Sequence, residues 1–419
     1  MQNIRRLARA AFILLLFSNA SADAAEWVAT WGAAPLPPAA QPSGGPSPPL
    51  NSFSGQTIRQ VVRISAGGDR VRIRLTNEYG TQPLVIGAAR ISIVDADGNG
   101  DPASGKPVLF AGQGSVTIPA GSPYVSDAIS LSVKPLSSVA ISLYFPGDTG
   151  PCTCHAVGLQ TAQVSGKGDF TAQTFVASAT MQQRAFLSGV EVETSGSGKA
   201  IVVLGDSISD GVGSTLGKNR RWPDLLAERL VARDKRKAWG VVNMGISGNR
   251  VLSDGAGVSA LARLDRDVLS VAGLEYVIVF EGVNDLGISY GKFESGPLAE
   301  RFKAQRALSG VVTADMMIAG YRQIIRRAHA KGVKVFGATI APYGGAMYYQ
   351  PEGEAVRVEI NKWIRTAGEF DAVLDFDSVL RDPGRPTEMA ASLHAGDHLH
   401  GSDAGYEAVA KSIDLKLFR

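Results

Sequence analysis

Ala200-Ile201-Val202-Val203-Leu204-Gly205-Asp206-Ser207 decides how this chain is read. Five apolar residues in a row, then a glycine, describe a short strand buried on both faces that ends in a turn. A serine stands directly after it. Working outward, two more expected strand ends carry glycine, in Asn243-Met244-Gly245-Ile246-Ser247-Gly248 and in Gly282-Val283-Asn284-Asp285. Near the C-terminus comes Asp397-His398-Leu399-His400.

Around these blocks strands and helices alternate. Strands are expected at 199–204, 240–244, 276–281, 334–340 and 372–376. Helices are expected at 222–233, 259–269, 314–330, 354–366 and 403–417, with Gly332 as a stop after Lys331. Five such units with apolar strands predict an α/β fold, a parallel sheet covered on both faces. In such sheets ligands gather beyond the carboxyl ends of the strands. Ser207, Gly248, Asn284 and His400 are all expected at that one edge, although nearly the whole second half of the chain separates the first from the last.

These residue types make a chemical set. A serine hydroxyl is a weak nucleophile until a base takes its proton. His400 is the candidate base, and Asp397, three residues earlier, the acid that fixes its tautomer and orientation. The Ser207 and Gly248 N–H groups and the Asn284 side-chain amide are candidate donors to an oxyanion. Asp206 and Asp285 read as loop braces. Arg250, Trp222 and Tyr343 are candidate pocket residues, as is the run Met347-Tyr348-Tyr349; ordinary loop packing explains each equally well. His155, His329, His394 and His398 read as structural or surface residues. A zinc site from His394, Asp397, His398 and His400 is one competing reading, but its spacing follows no trusted ligand pattern and leaves Ser207 without a task. A non-catalytic glycan-binding protein with a decayed hydrolase domain is another, but none of the catalytic set is missing.

With these residues in hand, 199–419 resembles the SGNH, or GDSL, hydrolase family of esterases and lipases. The matching blocks are Gly205-Asp206-Ser207, Gly248, Asn284 and Asp397-x-x-His400. The resemblance implies a flavodoxin-like three-layer α/β/α sandwich and a carboxylic ester hydrolase without cofactor or metal. Its ester substrate would be an acylated polysaccharide, a small ester or a lipid. Acyl transfer to an acceptor other than water shares the same first step. One departure is Gly401, where family members often carry proline after the histidine; it leaves the His400 loop less restrained.

The first half reads differently. Short alternating runs at 57–65, 69–77, 84–94, 114–118 and 137–145, with turn residues between them, predict an all-β sandwich, jelly-roll-like, over 25–194. Asn77-Glu78-Tyr79-Gly80 and His155-Ala156-Val157-Gly158-Leu159-Gln160-Thr161 extend the resemblance to the two-domain secreted branch of the family. That sandwich could hold a glycan. Ser195-Gly196-Ser197-Gly198 reads as a linker, and 35–49 as a Pro/Gly/Ser-rich loop.

The 419 residues carry a formal charge of +3, 45% hydrophobic and 19% charged residues. Residues 1–24 read as a signal peptide: Arg5, Arg6 and Arg9, then the apolar Ala10–Phe17, then Ala22-Asp23-Ala24. Removing it leaves +1, so nothing suggests nucleic acid as a partner. No stretch is long and apolar enough for a membrane span. The expected location is periplasmic or extracellular. Cys152 and Cys154 are the only cysteines; a bridge between them and two free thiols are both open.

Overall fold

The computed structural model describes residues 26–38, 50–94, 100–101, 103–194, 196, 198–234 and 237–419. The expected signal peptide, most of the 35–49 loop and two of the four expected linker residues lie outside them.

The second half is built on a five-stranded sheet, every pair parallel. Its spatial order is Trp239–Asn243, Lys199–Gly205, Leu274–Phe280, Lys334–Ala338, Ala372–Leu374. In chain order this is 2-1-3-4-5, so connections leave the first strand in opposite directions on its two sides, the place where open α/β sheets form their crevice. Ala200 to Leu204 are all fully buried, as an uninterrupted apolar strand must be when both faces are covered. Helices pack in two groups: Trp222–Arg233 and Phe376–Leu380 with Asp403–Ser412, and Val283–Tyr290 and Ala314–His329 with Pro351–Thr366.

Helix Ala314–His329 shows how local sequence sets an element. The Thr313 side chain caps it by accepting from the Met316 N–H. Met317, Tyr321, Ile324 and Ala328 form its buried stripe, and Arg326, Arg327 and His329 sit in the last turn, where positive charge meets the helix dipole. Gly332, at φ +74°, turns the chain into the next strand.

Two sheets make up the first half. One orders Glu26–Gly32, Leu187–Thr194, Gly68–Thr76 and Pro123–Val125, with Ile129–Val133 also on Gly68–Thr76. The other orders Ala177–Met181, Ala162–Lys167, Gln56–Arg63, Ser138–Phe145, Ala88–Ile93 and Lys106–Pro107. Val71, Ile73 and Leu75 from the first and Ile58, Ile91, Val139 and Ile141 from the second share one buried cluster. A disulfide joins Cys152 and Cys154.

Several expected elements differ. The run expected as one strand at 84–94 is two, Leu84–Ile86 and Ala88–Ile93, which pair with different partners. Gly87 is the break, lying against Tyr144 and Pro146 with room for no larger residue without displacement. The helix expected at 259–269 is Ala260–Leu264 followed by one π-helical turn, Asp265–Leu269. Helices Val283–Tyr290 and Pro297–Ser309 were not anticipated. The expected terminal helix ends at Ser412, with a separate 3₁₀ turn at Leu415–Leu417.

The halves meet along the edge of the parallel sheet. Glu26–Gly32 runs beside Trp239–Asn243, and an added Cβ on Gly240 would come within 1.9 Å of the Ala29 carbonyl. Val241 N–H donates to Ser65 Oγ (2.8 Å), and Arg63 pairs with Glu228 (2.8 Å). Ala29 and Ala34 belong to the core of the second half.

Candidate active site

Strand Lys199–Gly205 delivers Ser207 into a four-residue helical turn, Ser207–Asp210. Gly205 cannot be larger, since a Cβ would sit 2.3 Å from Ser209 Oγ and 2.8 Å from the Phe280 carbonyl. Asp206 caps the turn by accepting from the Ile208 N–H (2.9 Å). Gly211, at φ +103°, ends it, donating to the Ser207 carbonyl. Ser207 thus begins a helical turn at the carboxyl edge of the sheet.

His400 reaches that serine from the far end of the chain. Its Nε2 lies 2.8 Å from Ser207 Oγ, and its Nδ1 lies 2.5 Å from Asp397 Oδ2. A carboxylate can only accept, so Nδ1 carries the proton and Nε2 accepts from the serine hydroxyl. Asp397 Oδ1 takes the backbone N–H groups of Leu399 (3.0 Å) and His400 (2.9 Å). Partial burial pushes the Asp397 carboxyl up, but these hydrogen bonds and His400 outweigh it, and its pKa falls below the ordinary value.

The His400 loop is restrained despite Gly401. The Ala395 N–H donates to the His400 carbonyl (2.8 Å), and His394 bridges to Gly401. An added Cβ on Gly401 would lie 2.8 Å from the Tyr406 ring, whose hydroxyl donates to the Val212 carbonyl. Gly213, at φ +91°, lets the nucleophile loop close on the Gly401 carbonyl from the other side.

The other expected donors stand on neighbouring loops. Gly248 has φ +80°. Neither its N–H nor that of Ser207 has a hydrogen-bond partner among the described residues. The Asn284 side chain is held at both ends: its Nδ2 donates to the Asn249 carbonyl (3.0 Å) and its Oδ1 accepts from the Tyr348 hydroxyl (3.2 Å). One N–H of that amide remains for a ligand. Tyr348 fits against the helix carrying Asn284 because Gly287 leaves space; a Cβ there would stand 2.5 Å from the tyrosine ring.

Beneath the site lies a buried polar layer that sequence reading missed in part. Arg263 donates to the carbonyls of Met244 and Gly205 and to Asn249 Oδ1, tying together the ends of two strands. Its signal in the sequence is only an arginine on the apolar side of a helix. Asp285 accepts from the Val251 (2.8 Å) and Leu252 (3.1 Å) N–H groups, so it braces the loop after Gly248. Burial pushes the Asp285 carboxyl up to about 6 and the Asp206 carboxyl up to about 7, the latter helped by the nearby Asp285 and Asp210. Glu281, fully enclosed, is raised well above the carboxylate range by burial first and Asp206 second.

None of the three expected pocket residues presents a surface. Trp222 is fully buried between Phe280 and Phe376, Tyr343 packs on Tyr348 and Tyr349, and Arg250, 2% exposed, donates to Ser309 and the Asp254 carbonyl. His394 and His398 stack on each other with ring centres 4.3 Å apart, and His329 pairs with Asp371 at an exposed position. No group of three or more His, Cys, Asp or Glu among the described residues is arranged to hold a metal ion.

Residues 203–408 match the GDSL-like lipase/acylhydrolase family. The second half of the chain is a GDSL-type hydrolase domain, and the protein is a carboxylic ester hydrolase of that class. Among solved structures it is similar to an acetyl xylan esterase, AlAXEase (20% identity, TM-score 0.38, covering 51% of this chain and 96% of that one). A variant acetyl xylan esterase from Geobacillus stearothermophilus is also similar (23%, 0.38, 52% and 93%), as is a lipase/acylhydrolase from Enterococcus faecalis (20%, 0.37, 51% and 92%). A comparison with curated proteins gave no match.

Proposed function

We propose that this is an exported serine esterase that cleaves short acyl esters, such as acetyl groups on polysaccharide or small esters, through Ser207, His400 and Asp397. The observation that carries the reading is the unbroken hydrogen-bond chain from Ser207 Oγ through both nitrogens of His400 to Asp397.

In this reading His400 Nε2 takes the hydroxyl proton as Ser207 Oγ bonds to the ester carbonyl carbon. Asp397 steadies the imidazolium that forms. The carbonyl oxygen becomes an anion received by the Ser207 and Gly248 N–H groups and the free N–H of Asn284, each such donor contributing about 10²–10³ to turnover. The imidazolium then protonates the leaving alcohol, and an acyl-serine remains. Water, giving its proton to His400, attacks that acyl carbon, and collapse releases the acid and restores Ser207.

Export is part of the proposal. Residues 1–24 have the charge and apolar pattern of a leader, and a disulfide between Cys152 and Cys154 suits an oxidising compartment. No helix among the described residues is long and apolar enough to cross a membrane. We assign 25–194 to a jelly-roll-like β-sandwich domain, 195–198 to a linker and 199–419 to the hydrolase domain.

The test is hydrolysis of p-nitrophenyl esters from acetyl to palmitoyl by the wild type and Ser207→Ala, each with and without chelator. The expected result is activity on the short esters that disappears with Ser207→Ala and is indifferent to chelator. Activity surviving the substitution would overturn the proposed mechanism. A preference for palmitoyl would instead make this a lipase.

A further inference from the structure

His155 lies in the all-β half, on a short strand, Cys154–His155, paired with Arg184–Ala185. It is 5% exposed, yet both ring nitrogens find partners. Nδ1 stands 3.0 Å from the Ala34 carbonyl, and Nε2 stands 3.0 Å from Asp210 Oδ1 across the junction between the halves. A carbonyl only accepts, and so does an ionised carboxylate. The other Asp210 oxygen already receives the Ser247 N–H (3.0 Å) and hydroxyl (2.7 Å), the environment of an anion. Both nitrogens of His155 therefore donate, and the ring is an imidazolium. Burial, and to a lesser extent Arg221, lower its pKa, but Asp210 and the Ala34 carbonyl together outweigh them, and the pKa is raised.

The position of Asp210 gives this pair its meaning. Asp210 is the last residue of the turn that begins with Ser207. Ser247 immediately precedes Gly248. One carboxylate thus ties the nucleophile turn to the loop carrying the second oxyanion donor. The two segments are in close contact: a Cβ on Gly245 would lie 2.5 Å from the Asp210 nitrogen, and Asn243 Nδ2 donates to the Ser209 carbonyl (2.6 Å). A buried carboxylate with only the Ser247 donors would be poorly compensated. The cation hydrogen-bonded to it comes from the other half of the protein, while Arg221, in its own half, adds a second positive charge nearby without a hydrogen bond to it.

We propose that His155 is a positioning residue for the esterase site: its imidazolium holds Asp210, and Asp210 fixes the separation of the Ser207 and Gly248 N–H groups. This rests on the esterase reading above. It makes the all-β half an integral part of the catalytic unit rather than an appended module. A sub-ångström loosening of preorganised donors acts on the transition state, where the oxyanion exists, and hardly on ground-state binding.

The experiment compares full-length wild type, His155→Phe, His155→Gln, Asp210→Asn, the His155→Phe/Asp210→Asn pair and Ser207→Ala. All are assayed with p-nitrophenyl acetate well below each variant's melting temperature. His155→Phe is expected to lower kcat about 10²-fold with KM within about threefold. His155→Gln, which keeps one donor for Asp210, recovers about tenfold of that loss. Asp210→Asn loses as much as His155→Phe, and the double variant little more, because both act through one link. Unchanged kcat in folded His155→Phe, or a loss carried by KM alone, overturns the positioning role. Activity persisting in Ser207→Ala overturns the esterase mechanism itself, whatever the His155 variants do.

Discussion

Asp397→Asn probes the proposed machinery most sharply, because the structure gives this side chain two incompatible demands. Oδ2 accepts from His400 Nδ1, while Oδ1 accepts from the N–H groups of Leu399 and His400. An asparagine has one oxygen. If it faces the two backbone donors, the amide NH₂ points at Nδ1, which must then give up its proton. The proton moves to Nε2, and His400 faces Ser207 as a donor unable to take the hydroxyl proton. If instead the oxygen faces Nδ1, two backbone donors meet an NH₂, at a cost of about 1–2 kcal/mol in a loop that water can reach. The imidazolium also loses its counter-charge. A pair about 4 Å apart at an effective dielectric near 20 gives roughly 4 kcal/mol. The Asp397 side chain is 49% exposed, so screening reduces this to about 1–2 kcal/mol. The sum, about 3 kcal/mol, corresponds to a roughly 10²-fold fall in kcat, short of the ~10⁴ seen where a triad aspartate is buried. The assay is steady-state hydrolysis of p-nitrophenyl acetate with kcat and KM resolved. Asp397→Ala is expected to keep at least as much activity as Asn, since water can serve Nδ1 without imposing the wrong tautomer. A fall in kcat under about threefold, or Ala clearly worse than Asn, would refute the reasoning.

Other perturbations follow from the same geometry. Gly287→Ala would gain about 1 kcal/mol of helix propensity on an open helix. Here its Cβ meets Tyr348, the residue orienting Asn284, so kcat should fall about tenfold, measured beside Tyr348→Phe. Asp206 has a folded pKa raised to about 7 from 3.8. The native state therefore binds more protons than the unfolded one across that interval, and stability drops as pH rises through it. Asp206→Asn keeps an N-cap acceptor and removes the ionisation. Its melting temperature should exceed wild type by several degrees at pH 8 and by less at pH 5; no pH dependence of the difference would count against a neutral Asp206. Trp222→Ala should lower stability by about 3–5 kcal/mol, read by urea unfolding, because its ring fills the core between Phe280 and Phe376. A change in substrate preference without loss of stability would return Trp222 to the pocket.

The parallel sheet was readable because its strands are short apolar runs, as burial on both faces demands, and three of them end at or just before a glycine, Gly205, Gly245 and Gly282. The Ser207, His400 and Asp397 contact was readable because motifs far apart in sequence all fell at strand ends on one edge. What sequence did not disclose depends on neighbours it cannot name. Arg263 and Tyr348 act through atoms supplied by distant loops. Trp222 begins a helix near the nucleophile loop, as a pocket residue would, yet that helix turns it inward. Gly87 splits an alternating run only because the next residues pair with a different strand. His155 read as structural within its own half; its link to Asp210 exists only once the halves are docked. Gly401, read as loosening its loop, is the residue that lets Tyr406 press against it.

The strand Glu26–Gly32 has a consequence for how the molecule acquires its shape. It is the earliest described element, yet its neighbours come late: Glu26 lies opposite Thr194, 168 residues on, and Trp239–Asn243 follows later still. Such pairings carry a high contact order and form slowly. A chain growing from its N-terminus cannot complete its first sheet until Leu187–Thr194 has emerged, and until Trp239–Asn243 arrives that sheet keeps a bare flank open to wrong partners. The two halves therefore do not mature one after the other. The last step that closes the first sheet against the second half also brings His155 to Asp210, so acquisition of activity in refolding should coincide with burial of this strand and lag behind formation of secondary structure.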